Sequence, residues 1–161
     1  DSTRVPKACH EFYLREMYLH NNLAKPGALI LEGVPIDLSA IKTPVYIQAA
    51  ETDHICPYDS VYKATQIYSG PRRFVLAGSG HIAGVVNPPA ANKYHYWTNE
   101  ALPPTAAEWR EGATKHPGSW WPDWHRWQAK RAGRKIPARD PAAGGLAPLC
   151  DAPGAYVRIR S

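Results

Sequence analysis

Long apolar runs are missing from this chain of 161 residues, and their absence sets the first boundary. No stretch approaches the roughly twenty consecutive apolar residues of a membrane span, and nothing near the start has the pattern of a secretory leader. Cysteine is scarce as well. Cys9, Cys56 and Cys150 show no pairing logic, which points to a reducing compartment and a cytoplasmic protein. No two histidines stand at helical ligand spacing with a carboxylate or cysteine beside them, so no metal is expected. Neither common glycine-rich phosphate loop is present. The net charge of +5 collects at Arg126, Lys130, Arg131, Arg134, Lys135 and Arg139. Without interleaved aromatics or a nucleic-acid motif, that tract reads as a solvated helix end and tail rather than a nucleic-acid contact. Only two segments have the character of core strands, too few for an independent doubly wound sheet. The chain does not begin with Met, and both features lead us to expect the C-terminal part of a larger catalytic domain.

What is present is concentrated in residues 43–84. Pro44 opens an almost uninterrupted apolar run, Val45–Ala50, of the kind a parallel strand buried on both faces shows. Asp53 follows it. After Pro57, the residues Tyr58, Val61, Tyr62, Thr65 and Tyr68 recur at helical spacing until Ser69-Gly70-Pro71 stops them. Residues 74–77 form the second run, and Gly78-Ser79-Gly80 then presents His81. The pattern of strand, Asp, helix, strand, His places both ionisable residues in loops past strand carboxyl ends, where open parallel sheets carry their functional groups. It also fits the last two members of a nucleophile, acid, histidine series. Asp53 can equally be the cap of the helix after it, and His81 an ordinary loop histidine.

Several unusual strings occur in order: DSTRVP at the start, GVPIDL from Gly33, DHICP from Asp53, GSGHIAGVVNPP from Gly78 and GSWWPDW from Gly118. Together they make the chain, from its first residue to about Trp127, similar to the C-terminal part of the catalytic domain of the polyhydroxyalkanoate synthases, class I type. The resemblance implies an α/β-hydrolase fold in its C-terminal part, a parallel sheet flanked by helices, preceded by the end of a cap subdomain. It implies a cap end over residues 1–33, a core over 34–133 and a Pro/Ala/Gly-rich tail over 134–161. It makes Asp53 and His81 the catalytic acid and histidine, with His54 a minor substrate-binding candidate. Cys56 stands where that family often has Val or Thr.

The resemblance also implies a polymerase of (R)-3-hydroxyacyl-CoA that releases CoA through an acyl-cysteine, needs no cofactor beyond the CoA of its substrate, and works as a homodimer at the polymer granule surface. Its nucleophile would lie in a G-x-C-x-G elbow, and no such elbow exists here. None of the three cysteines has the flanking glycines, so the chain alone is expected to be inactive. Another α/β-hydrolase, an esterase or depolymerase, and a non-catalytic interaction fragment stay open as alternatives.

Further expectations concern single elements. Ser2 or Thr3 would cap a helix over residues 10–22, with Tyr13, Leu14, Met17 and Tyr18 as a core stripe. Residues 28–31 would be a strand or an extended link. Thr105 and Glu108 spell a capping box, and Ser119 would cap a last helix whose Trp120, Trp124 and Trp127 face the core or, alternatively, a hydrophobic polymer or second subunit. Residues 156–159 alternate as an edge strand would.

Overall fold

A computed structural model describes residues 4–159. The chain divides into two units, Asp1–Trp127 and Gln128–Ser161.

The first unit is built on a mixed sheet of four strands. Strand β3 (Val45–Ala50) and strand β4 (Arg72–Ala77) lie parallel, with Ile47 opposite Phe74 and Ala50 opposite Ala77. Strands β5 (His95–Thr98) and β6 (Thr114–Pro117) then add antiparallel, giving the order β3-β4-β5-β6. A separate hairpin joins β1 (Leu29–Leu31) to β2 (Val34–Ile36). Two parallel strands require a crossover, and here it is the paired short helices α2 (Tyr58–Tyr62) and α3 (Ala64–Ile67).

Because side chains alternate along a strand, the central pair has two distinct faces. Ile47, Ala49, Phe74 and Leu76 pack with Tyr62, Ala106 and Trp109 in the principal core. Phe74, Leu76 and Trp109 are completely covered, and the Phe74 and Trp109 rings meet edge to face at 4.7 Å. Such an aromatic pair contributes about 1 kcal/mol beyond the burial of its area. Helix α4 (Ala106–Glu111) brings Trp109, and the capping box expected at its start is formed. The opposite face carries Tyr46 and Arg73, directly across from each other in the β3–β4 register. Helix α5 (Trp121–Ala129) reaches that face through Asp123, whose carboxylate takes two hydrogen bonds from Arg73 at 2.8 Å and one from the Tyr46 hydroxyl at 2.9 Å. Ser119 Oγ accepts the Trp121 N–H at 3.1 Å, the cap expected there.

Several expectations need correction. The sheet is mixed rather than parallel and has four strands rather than two, because β5 and β6 are four residues each and half-exposed, with no apolar run to announce them. The first helix, α1 (Lys7–Tyr13), follows Pro6 and continues as a π-helical turn over Leu14–Leu19, with Asn21 at φ 49° beyond it. The proposed caps Ser2 and Thr3 lie outside the described residues. Tyr13, Leu14 and Tyr18 are exposed at 49%, 44% and 72%, so that stripe is not core in this chain. The single crossover helix is two. Trp120 precedes α5 instead of opening it, and Trp124 is 39% exposed, since the buried residue of that helix is Asp123. Residues 156–159 give a 3-10 turn over Tyr156–Arg158. An alternating tetrad forms a strand only beside a partner, and none of the described strands pairs with it.

Candidate active site

Strand β3 ends at Ala50, and the chain turns so that the Asp53 carboxylate folds back on its own loop. Asp53 Oδ1 accepts the backbone N–H groups of Ile55 and Cys56, each at 2.9 Å. This local turn is the reason an aspartate suits the position, since its short side chain reaches the amides two and three residues ahead. The other oxygen is free to face the next loop. There Asp53 Oδ2 meets His81 Nδ1 at 2.8 Å. The Asp53 side chain is 6% exposed and that of His81 44%. The Cys56 amide, acting against partial burial and joined by His81 and the Ile55 amide, holds the Asp53 carboxyl below its ordinary value. An ionised Asp53 fixes the imidazole proton on Nδ1 and leaves the Nε2 lone pair for chemistry.

The loop that carries His81 is held from three sides. Its approach is strained, since Ser79 has φ 79°. The Thr52 N–H donates to the Ser79 carbonyl at 3.0 Å, and the Gly84 N–H to the Gly80 carbonyl at 2.8 Å. The two indoles of the Trp120-Trp121 pair close the far side: Trp120 Nε1 donates to Gly84 O and Trp121 Nε1 to Val85 O, both at 3.0 Å. Trp120 also stacks on Tyr46, with ring centroids 6.0 Å apart. The tryptophan segment thus links the sheet to the histidine loop, a role that its spacing as a core stripe did not convey.

A second pair forms at the end of the same strand, β3. Glu51, two residues before Asp53, accepts from His95 Nε2 at 2.8 Å and from Arg110 at 3.2 Å. Burial alone would raise the Glu51 carboxyl, but His95 and Arg110 outweigh it and the value falls below the ordinary one. Arg110 also lies over the Trp97 ring, 3.2 Å from its centroid. His95 bears on the His81 loop directly, because the Gly78 N–H donates to its carbonyl at 2.8 Å and a Cβ at Gly78 would stand 2.9 Å from the His95 ring. Sequence reasoning missed Glu51, His95 and Arg110. The only signal was the i, i+2 pair of acidic residues, Glu51 and Asp53, directly after a strand end.

The candidates therefore separate. Asp53 and His81 come together; His54 is exposed on the same loop, beyond the pair. Cys56 is exposed, and its sulfur lies in one group with ligand atoms of Asp53 and His81, all within 4.8 Å of one another. Helical spacing does not reveal this group, because its members lie on two loops. Ile55, Ile82 and Val86, on the same two loops, are exposed at 61%, 75% and 61%. Among the described residues no helix is long and apolar enough to cross a membrane.

Comparison with known proteins gives relatives that match along the whole chain. The poly(3-hydroxyalkanoate) polymerase subunit PhaC of Cupriavidus necator is 47% identical over 164 residues, covering 100% of this chain and 28% of the relative. The subunit of the same name from Rhizobium meliloti is 47% identical over 161 residues, 26% of its length. A poly(3-hydroxyalkanoate) polymerase of Methylorubrum extorquens is 46% identical over 162 residues, 27% of its length. The chain thus spans little more than a quarter of each of these relatives. No protein-family model matches it.

Proposed function

From a chain homologous along its whole length to one segment of the poly(3-hydroxyalkanoate) polymerases, we propose that it supplies the acid and histidine of an acyl-transfer site in an α/β-hydrolase-type domain. The nucleophile is a cysteine outside this segment. The observation that carries the reading is the 2.8 Å contact between His81 Nδ1 and an Asp53 carboxylate already fixed by two backbone amides.

In the first step His81 Nε2 takes the thiol proton, and the thiolate attacks the thioester carbonyl of a 3-hydroxyacyl-CoA. The carbonyl–sulfur bond of the substrate breaks, and the proton on Nε2 passes to the departing CoA sulfur. Extension uses the same relay. A 3-hydroxyl oxygen attacks an acyl-thioester carbonyl, an ester bond forms, the carbon–sulfur bond breaks, and the hydroxyl proton reaches the released sulfur through His81. Asp53 holds the imidazole tautomer and stabilises the imidazolium that each transfer creates. The exposed apolar residues Ile55, Ile82 and Val86 flank the pair and suit an aliphatic polyester better than water. Residues 1–33, with Tyr13, Leu14 and Tyr18 outward, suit the end of a cap that closes against further chain. Homodimerisation and association with polymer granules in the cytoplasm belong to the same proposal.

The test is CoA release and polymer yield from 3-hydroxybutyryl-CoA by the full-length enzyme. Asp53→Asn and His81→Gln each lower turnover at least about a hundredfold with the urea midpoint preserved. Wild-type-like polymer from either variant would sink the assignment, and free hydroxy acid in place of polymer would make the protein a hydrolase.

A further inference from the structure

The thiol of Cys56 plays no part in the acyl transfer just described, yet it stands beside both members of the pair. Asp53, Cys56 and His81 each offer one ligand atom, and the three atoms lie within 4.8 Å of one another. One carboxylate oxygen, one thiolate sulfur and one imidazole nitrogen make the mixed donor set that zinc accepts. Around a tetrahedral zinc with bonds of about 2.0–2.3 Å, donor atoms stand about 3.3–3.7 Å apart. The Nδ1···Oδ2 distance is 2.8 Å. It opens by about half an ångström, and the sulfur, within 4.8 Å of both atoms, closes by up to about 1 Å, for a metal to replace the shared proton.

The surroundings favour such a site. Asp53 Oδ1 is tied to two amides, which orients Oδ2 as the outer partners of a metal site orient its ligands. Cys56 is exposed and His81 44% so, which leaves an open path for the ion. Three protein ligands leave the fourth position to water. We propose that Asp53, Cys56 and His81 bind a thiophilic divalent cation of the zinc type, which displaces the proton between Asp53 and His81 and halts proton transfer there. Binding releases the Cys56 thiol proton to solvent, and the imidazole proton moves from Nδ1 to Nε2, so the neutral ring holds the metal through Nδ1 and Nε2 can no longer accept a proton. Metal binding stands on the cluster alone; its inhibitory effect rests on the function proposed above.

Cobalt(II) serves as the probe, added to the reduced, chelator-treated full-length protein and followed by absorption. The expected result is a thiolate-to-cobalt charge-transfer band that saturates at one equivalent and is abolished by one equivalent of zinc. Cys56→Val removes the band and weakens binding at least about tenfold, and His81→Gln weakens it by about as much. Cys9→Ser and Cys150→Ser leave it unchanged. Each variant's urea midpoint is measured alongside to show that it is folded. In a second arm, zinc suppresses CoA release, a chelator restores it, and Cys56→Val, compared with its own metal-free rate, needs at least about tenfold more zinc. Absence of the band, or its persistence in Cys56→Val, overturns the site. If no CoA release occurs at all, the polymerase reading fails while the cobalt titration still decides the site.

Discussion

At the scale of single residues, the loop that carries His81 depends on groups outside the Asp53–His81 pair. Glu51 receives His95 and Arg110, and His95 in turn carries the Gly78 amide that begins the histidine loop. Glu51→Gln keeps the shape but loses the charge, so His95 and Arg110 lose a charged acceptor. We expect kcat to fall by about tenfold with KM little changed, as for a group that positions rather than binds. Unaltered kcat in steady-state CoA release would show that Glu51 is a stability residue only. Gly84 is constrained differently. A Cβ there would stand 2.7 Å from both the Ala50 Cβ and the Gly80 carbonyl, so β3 and the loop would have to separate. Gly84→Ala is expected to cost about 1–3 kcal/mol in urea unfolding and to reduce turnover as well. His81→Gln should reduce turnover alone, and that contrast separates loop placement from chemistry.

At the scale of elements, α5 is fastened to the sheet by the Asp123 carboxylate and by Trp127, whose ring meets that of Tyr46 edge to face at 5.4 Å. Arg73 grips Asp123 with two parallel hydrogen bonds, a geometry stronger and more directional than a single contact. Burial pushes the Asp123 carboxyl up, but Arg73 and Tyr46 outweigh it and the net shift is downward. The sign follows. The unfolded chain, with its ordinary aspartate near 3.9, binds a proton before the folded one does. Asp123 therefore adds stability in full above about pH 5, and the contribution drains away as pH falls through the unfolded value toward the lower folded one. Asp123→Asn should cost about 2 kcal/mol at pH 7 and flatten the loss of stability between about pH 5 and pH 3, read by urea unfolding. An unchanged slope would place the acid sensitivity elsewhere. Legibility at this scale followed apolar density. β3 coincides with its expected bounds and β4 extends two residues earlier than the run at 74–77, because a buried parallel pair leaves an unbroken apolar signature. β5 and β6 went unseen, since Tyr96 is well buried while Lys115 and Thr114 face outward and neither strand exceeds four residues. The π-helical turn after α1 also has no signature in residue spacing.

At the scale of the whole molecule, β3 lies at one edge of the sheet and pairs with no strand on its outer side among the described residues. Its hydrogen-bonding groups form a template, and exposed Ile30, Leu31, Ile55 and Ile82 add apolar surface. This segment expressed by itself should be inactive and associate at micromolar concentration, to be checked by light scattering and CoA release. A monomer that unfolds cooperatively would show that the edge is already protected. The Asp53–His81 pair was legible because strand ends and a distinctive string both marked it. The Glu51–His95–Arg110 group and the nearness of Cys56 were not, because they arise from three-dimensional juxtaposition of short, half-buried segments.

The indole bonds from Trp120 and Trp121 to the carbonyls of Gly84 and Val85 have an optical consequence. Two of the six tryptophans are fixed to the loop that bears His81, so the protein carries its own fluorophores beside the proposed catalytic pair. If acyl-CoA binding displaces that loop, the indole N–H groups exchange a carbonyl for solvent, and the emission maximum shifts to the red. Stopped-flow emission on mixing with acyl-CoA would then time the loop without any attached dye, and Trp120→Phe with Trp121→Phe would silence the signal.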